Sequence, residues 1–358
     1  MGPSFEILPR RCSQAWLDTA DAYSAALGFV RGWFDVEGNL VEAVRAQLAH
    51  AHSWRTGLMN FIGRLAPWRL AQLWQSRSDA MHQIRFHYDR SNEFYHTFLD
   101  ARMVYSCAYF QAADQSLDDA QLAKLNHIAR KLRLGPGDRF LDIGCGWGAL
   151  VHHAAAHFGA IATGCTLSLR QTEYARSLDE RVSIYEADYR DMQGPFDKIA
   201  SVGMFEHVGL PRLERYFRKV YELMAPNGLF LNHGITTPSS AHPDATGFFI
   251  ANRVFPGGRI VRLEDVIHAA ERAGFETVDV ENLRRHYALT CQAWVERLRA
   301  NRDECLKTVD EETWRTWQLY LAGSAVAFSE GGLNLHQVLF SRQGARGAVP
   351  MTRDYMYS

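Results

Sequence analysis

Three glycines spaced by two, Gly144, Gly146 and Gly148, follow an apolar run that holds a single acid, Phe140-Leu141-Asp142-Ile143. A helix-like stretch, 147–157, follows at once. The pattern reads as a buried parallel strand, a tight turn and a helix start. Glycine permits positive φ and a close backbone approach, and the first N–H groups of a helix suit a polar or anionic ligand. The turn is therefore a nucleotide-type cofactor site. Gly144, Gly146 and Ala149 fit the dinucleotide spacing G-x-G-x-x-G/A. That fingerprint also asks for an acid about 20 residues on, to hold a ribose. The second strand here ends Cys165-Thr166-Leu167-Ser168, with no acid.

Asp142 within the strand and glycines at 144, 146 and 148 instead look like the S-adenosylmethionine (SAM) turn of class I methyltransferases. Ribose contacts then fall to Thr166, Ser168 or Gln171. After the third strand, Asp188-Tyr189-Arg190-Asp191 offers an aromatic face for an adenine and polar groups for its edge. The competing reading of those four residues is a surface turn.

The elements around the turn alternate. The apolar pattern predicts strands at 139–144, 160–166, 182–187, 197–203, 228–235, 276–281 and 336–342. Helices are expected at 147–157, 168–177, 211–224 and 263–273. That is an α/β doubly wound sheet. A largely helical stretch, 284–333, precedes the last strand and is longer than a connection needs, so it is expected to cover the substrate site. Upstream, 18–29 and 40–50 carry helical spacing with Val36-Glu37-Gly38-Asn39 as the turn between them. Asp89 to Tyr95 reads as a cap leading into a helix, 105–110 as an aromatic loop, and 117–132 as a helix closed by Gly135-Pro136-Gly137.

Residues 53–74 interleave Trp54, Phe61, Trp68 and Trp74 with Arg55, Arg64 and Arg69. Two readings stand: a core-packing helix pair with solvated arginines, or a membrane-surface element with arginines facing anionic lipid.

Composition narrows the classes. A net charge of -1 gives no footprint for nucleic acid. The six cysteines are scattered without a CxxC pair, which argues against zinc and for free thiols in a reducing cytoplasm. No cationic start leads into an apolar run, and no apolar run nears the ~20 residues of a membrane span. His152, His153 and His157 share one helix and read as structural.

Several motifs occur in one order: His87-Tyr88-Asp89, Asn92 to Tyr95, Tyr105-Ser106-Cys107-Ala108-Tyr109, Asp142 to Gly148, Gly203-Met204-Phe205-Glu206-His207-Val208-Gly209, Asn232-His233-Gly234-Ile235, Val254 to Gly258, His286-Tyr287 and Gln337 to Arg342. Over 82–342 the chain resembles the cyclopropane-fatty-acyl-phospholipid synthase family, which includes the mycolic acid cyclopropane synthases. Residues 27–40 resemble, more weakly, part of that family's small lipid-binding N-terminal domain. The resemblance implies a helical N-terminal lipid-binding-like region over 1–80, a SAM-dependent methyltransferase domain over 81–342 and a tail over 343–358.

It further implies methylation of the double bond of a phospholipid acyl chain, with ring closure after a bound bicarbonate removes a proton. By matching motifs Cys107, Glu206, His233, Ile235 (backbone) and Tyr287 would hold the bicarbonate. SAM would be held by Tyr105, Ser106, Asp142, Gly144, Cys145, Gly146, Trp147, Gly148, Thr166, Leu167, Ser168, Gln171, Tyr189 and Arg190. The residue chemistry agrees: His233 and Tyr287 donate, Glu206 accepts, Cys107 is a weak donor, and aromatic faces suit a carbocation. Taken singly, a free Cys, a lone His or a Tyr is more often core.

The family also implies a peripheral enzyme on the inner face of the membrane, acting as a homodimer. Ser91 stands where Gly is common, and Cys291, beside Tyr287, where Leu is common. The competing functions are alkene methylation without ring closure, a small-molecule N- or O-methyltransferase, and a non-enzymatic lipid- or SAM-binding module.

Overall fold

A computed structural model describes residues 4–50, 91–112, 114–238, 260–345 and 347–357. The chain opens with β1 (Phe5–Pro9), α1 (Gln14–Thr19), α2 (Ala22–Val30), β2 (Phe34–Gly38) and α3 (Leu40–His50). The helical N-terminal region expected from sequence carries two strands besides its helices. β1 and β2 form an antiparallel ribbon, Phe5 opposite Gly38 and Pro9 opposite Phe34. Val36 to Gly38 is thus strand, not turn, and Asn39 caps α3 by accepting from the N–H groups of Val41 and Glu42 at 3.0 and 3.2 Å. The helix expected over 18–29 is two helices, because Asp21 accepts from the Ser24 N–H at 2.9 Å and restarts the chain as an N-cap. The tryptophan- and arginine-bearing stretch 53–74, with the motifs at 87–90 and 254–258, lies outside the described residues.

Next come α4 (Asn92–His96), capped by Ser91, and α5 (Leu117–Lys131), capped by Ser116. The alternating part follows: β3 (Arg139–Ile143), α6 (Ala149–Phe158), β4 (Ile161–Thr166), α7 (Leu169–Leu178), β5 (Ser183–Glu186), β6 (Phe196–Val202), α8 (Leu213–Leu223) and β7 (Met224–Thr237). The chain ends through β8 (Val261–Arg262), α9 (Leu263–Arg272), β9 (Phe275–Asn282), α10 (Arg284–Ala300), α11 (Arg302–Cys305), α12 (Glu311–Ser329) and β10 (Asn334–Arg342).

The main sheet runs β5-β4-β3-β6-β7-β10-β9, with β8 pairing β7. β3 to β7 are parallel and β10 is antiparallel to both its neighbours. The strand order reverses at β3, where β4 and β6 flank it, and ligands of open α/β sheets sit above such a point. One apolar core lies on the face of Ile199, Phe217, Phe230 and Phe340, a second on that of Phe140, Val151, Leu231 and Leu339.

A third core joins the N-terminal elements to the helical insertion: Phe29, Phe34 and Val36 pack with Trp314, Trp317 and Leu321. Buried Arg315 of α12 fastens this contact through the carbonyls of Phe29 and Phe34 and the carboxylate of Asp35. A ribbon and three short helices bury too little on their own, so the insertion completes their core. The residues after β10 are fixed as well. Arg353 donates to Asp279 at 2.6 Å, and the His127 ring lies 3.2 Å from the Met356 carbonyl.

Candidate active site

The glycine turn adopts the backbone its sequence demands. Gly144 has φ +77°, and Gly144 and Cys145 donate to the Cys165 carbonyl at 2.9 and 3.0 Å, which locks the turn to the end of β4. Above it opens a cavity of about 540 Å³ at the carboxyl ends of β3, β4 and β6. Of the cofactor residues expected from sequence, all but Gly148 and Ser168 line it. Those two serve the turn from behind. A Cβ on Gly148 would stand 2.9 Å from Ala175, so glycine lets α6 and α7 close up. Ser168 caps α7, accepting from the Gln171 N–H at 3.4 Å.

Thr166 donates to the Gln171 carboxamide at 2.7 Å, which places two polar groups together where β4 has no acid. Arg190 is ion-paired with Asp188, and its neighbour Tyr189, raised to about 12 by burial, stays a neutral phenol. Asp142 is 3% exposed, its Oδ1 has no partner, and burial raises its carboxyl to about 7 against the pull of Lys124. Trp147 donates to Asn92 at 2.9 Å and packs its ring 4.9 Å from Tyr95, so α4 holds the turn from outside.

The five residues expected to hold an anion come from four parts of the chain. Glu206 lies in the short turn Phe205–His207 after β6. Its Oε1 accepts from the Ile235 N–H at 2.7 Å, and its Oε2 is buried without a partner. Gly234 makes that reach possible, since a Cβ there would meet the Phe205 ring at 2.0 Å and Glu206 Oε1 at 2.9 Å. Burial lifts the Glu206 carboxyl from 4.5 to about 7, offset by the hydrogen bond from Ile235.

His233 precedes Ile235 by two along β7, hence on the same face. Gln337, directly across the ladder on β10, donates to His233 Nδ1 at 3.1 Å. Burial holds this ring well below its ordinary 6.5, so it is neutral. With Nδ1 accepting, the proton sits on Nε2, which is buried and unpartnered.

Cys107 is fully buried, kept a thiol by desolvation, with Sγ 3.9 Å from the Leu283 carbonyl. That same carbonyl accepts the Tyr287 N–H at 3.1 Å. Tyr287 is raised well above 10 by burial and by the neighbouring Cys291, Tyr320, Cys107 and Glu206. None of the five lines the cofactor cavity. Glu206 and Cys107 lie near Tyr287, whose ring is flanked by those of Phe328 and Trp294 at 4.5 and 6.0 Å, while Glu206, Ile235 and Tyr287 themselves stay partly exposed. Cys291, one helical turn beyond Tyr287 on α10, is buried beside it.

Residues 75–338 match the family model described as mycolic acid cyclopropane synthetase. The chain belongs to that family. A probable fatty acid methyltransferase of Pseudomonas putida is 42% identical over 92% of this chain and 85% of its own. The solved cyclopropane synthase MmaA2 of Mycobacterium tuberculosis superposes with a TM-score of 0.70 at 32% identity, over 73% of this chain and 98% of that one. The mycolic acid cyclopropane synthase CmaA1, solved with S-adenosylhomocysteine (SAH) and CTAB, gives 0.69 at 32%, with the same coverage. This family member is a SAM-dependent methyltransferase with the class I fold.

Sequence reasoning missed several members of the site. Lys124, Met204 and His207 line the cavity, and Gln337 orients His233. Lys124 is buried in the middle of an amphipathic helix, where a lysine normally signals the solvent face. Gln337 was legible as part of a strand and of a family motif, but not as a partner of His233. His152 and His153 bond to the Ala175 carbonyl and to Asn126, both at 2.8 Å. Among the described residues no group of three or more His, Cys, Asp or Glu is placed to hold a metal ion.

Proposed function

We propose that this enzyme methylates the cis double bond of an unsaturated phospholipid acyl chain and closes a cyclopropane ring. The observation that carries the reading is a pair of buried, unpartnered polar atoms, Glu206 Oε2 and His233 Nε2, on one residue bonded to the Ile235 amide and one that shares its strand face. A buried acceptor and a buried N–H donor, both without a protein partner, fit a small anion bearing one hydroxyl, such as bicarbonate. Bicarbonate, when bound, supplies a base within reach of the substrate.

The chain's own groups give the rest. His233 Nε2–H and the Tyr287 hydroxyl donate, Glu206 Oε2 accepts, and Cys107 is a weak donor. Burial keeps Tyr287, Cys107 and His233 uncharged, so these donors bring no competing charge. The alkene π pair forms a bond to the SAM methyl carbon while the sulfonium carbon–sulfur bond breaks. The resulting cation loses a proton from the added methyl, and that C–H pair closes the ring. The Phe328 and Trp294 rings beside Tyr287 offer aromatic faces that suit a cation.

A second reading ends in a methylene- or methyl-branched chain, because the same residues serve whichever proton is lost. The naming of the Pseudomonas relative as a fatty acid methyltransferase favours keeping it. Lipid from a host expressing the chain separates the two by mass and NMR. Cyclopropyl protons support the first, an exocyclic methylene supports the second, and unchanged lipid with methylation of a soluble amine overturns both.

The substrate makes the enzyme peripheral to the cytoplasmic face of the membrane in this reading, as a homodimer. No helix among the described residues is long and apolar enough to cross a bilayer. Neutralising Arg55, Arg64 and Arg69 is expected to weaken flotation with anionic vesicles. Unchanged flotation counts against a membrane role for that stretch.

A further inference from the structure

One buried cation at the cofactor cavity is not used by anything above. Lys124, on α5, is 2% exposed and lines the cavity at the end that also holds Ser106 and Asp142. Its ammonium donates to Ser106 Oγ at 3.0 Å, its one hydrogen bond among the described residues. An ammonium carries three N–H donors, so two are left over in a desolvated place. The nearby carboxylates of Asp100 and Asp142 attract this cation, but among the described residues neither accepts a hydrogen bond from it. Asp100 spends both oxygens on the backbone N–H groups of Val104 and Arg102, at 2.8 and 3.2 Å. Asp142 Oδ1 has no hydrogen-bond partner at all. A buried cation left this way is costly unless a ligand completes it.

The remaining charges of the cavity are elsewhere. Arg190 is committed to Asp188, and Arg212 and Arg215 act on Tyr189, at the far end of the cavity. The cofactor class supplies the missing partner. SAM has two cationic groups, the sulfonium and the amine, and one anion, its carboxylate. A lysine repels the first two and favours only the third. With adenosine at the Tyr189 end, the amino-acid end of the cofactor lies by Ser106, Asp142 and Lys124. The acid and the base there, each with hydrogen-bonding capacity left over, match the two charges of an amino acid.

We propose that Lys124 binds the α-carboxylate of the cofactor, together with the Ser106 hydroxyl it already holds, and so makes the enzyme selective for cofactors that carry this group. The proposal rests on the adenosine placement argued from Tyr189 and the β4 end. Burial pushes Lys124 down to about 8, although the nearby Asp100 and Asp142 pull it the other way. A purely structural role is the alternative. Gln121, one turn earlier, clamps the same loop through the Ser106 carbonyl at 2.9 Å, and Lys124 would merely add to that clamp.

The two roles separate by ligand, not by activity. Calorimetry on the full chain compares SAH with its decarboxylated analogue, which keeps the adenosine and the amine. The wild type is expected to prefer SAH by roughly tenfold to a hundredfold, the range for a hydrogen bond to a charged group. Lys124→Met should lose that factor for SAH and leave the analogue unchanged. Equal weakening of both ligands means a loop clamp and overturns the proposal. Equal affinity of the wild type for both ligands overturns it without any variant, which covers the case of a Lys124→Met chain that does not fold. Binding of neither ligand to the wild type overturns the cofactor placement and the proposal with it.

Discussion

The cofactor cavity and the Glu206 cluster are neighbours built on opposite principles. The cavity is about 540 Å³, and most of its polar groups come from the carboxyl ends of four adjacent parallel strands, β3 to β6, and the turns that follow them, joined by Tyr105, Ser106 and Lys124 from before β3. The cluster draws its residues from a loop before α5, the turn after β6, strand β7 and the start of α10. The cavity keeps its polar atoms beside free space, whereas the cluster keeps Glu206 Oε2 and His233 Nε2 buried against protein. The first arrangement suits a reactant that enters and leaves at each turnover. The second suits a small captive group and a reaction that water must not reach. The difference also predicts that the two regions fail separately.

The sharpest break is Glu206→Gln. It should lower turnover by about 10² to 10⁴-fold, the range for a positioned proton-transfer apparatus, while SAH affinity is retained. Parallel loss of SAH binding, by calorimetry, would merge the two regions into one site.

The next effect is on stability. Glu206 and Asp142 both have folded values raised to about 7 from 4.5 and 3.8. Each holds its proton more tightly when folded, so its contribution is fully present below the unfolded value and is lost as pH rises through about 7. For Glu206 alone this is on the order of 3 kcal/mol across that window. Denaturant titrations of ligand-free protein should show a shallower decline for Glu206→Gln than for wild type. Superimposable stability–pH curves would show that the carboxyl is not desolvated.

Asp142→Asn acts on the cavity side. It should weaken SAH about tenfold to a hundredfold, as for a lost charged hydrogen bond, and change turnover at saturating cofactor far less. A fall in turnover with unchanged affinity would move Asp142 into the catalytic group. The smallest expected effect is Asn92→Ala, which leaves the Trp147 indole N–H without its acceptor. About 1 kcal/mol of stability should be lost, read as a lower unfolding midpoint. No loss would mean that α4 does not brace the turn.

What could be read in advance follows the same division. The cavity was legible because a βα unit writes strand, turn and helix next to one another, and Asp142 to Gly148 carry their own backbone requirements. The seven strands and four helices expected in the alternating part are all present within a few residues. The N-terminal ribbon was not legible. β2 has five residues, ends in Glu37 and Gly38, and is strand only because β1 lies opposite. Lys124 was hidden for a related reason: helical periodicity ranks residues by polarity, and a lysine turned inward breaks the ranking.

By itself, then, the sequence determined the sheet, the glycine turn and the kind of cofactor, because those follow from local patterns of polarity and backbone freedom. Tertiary structure decided which distant groups meet. It set Gln337 opposite His233 through strand register, brought Glu206 to the Ile235 amide through the space left by Gly234, and buried Lys124 beside Ser106. Contacts of that kind depend on the order in which strands are placed in the sheet, and no single stretch of the chain encodes that order.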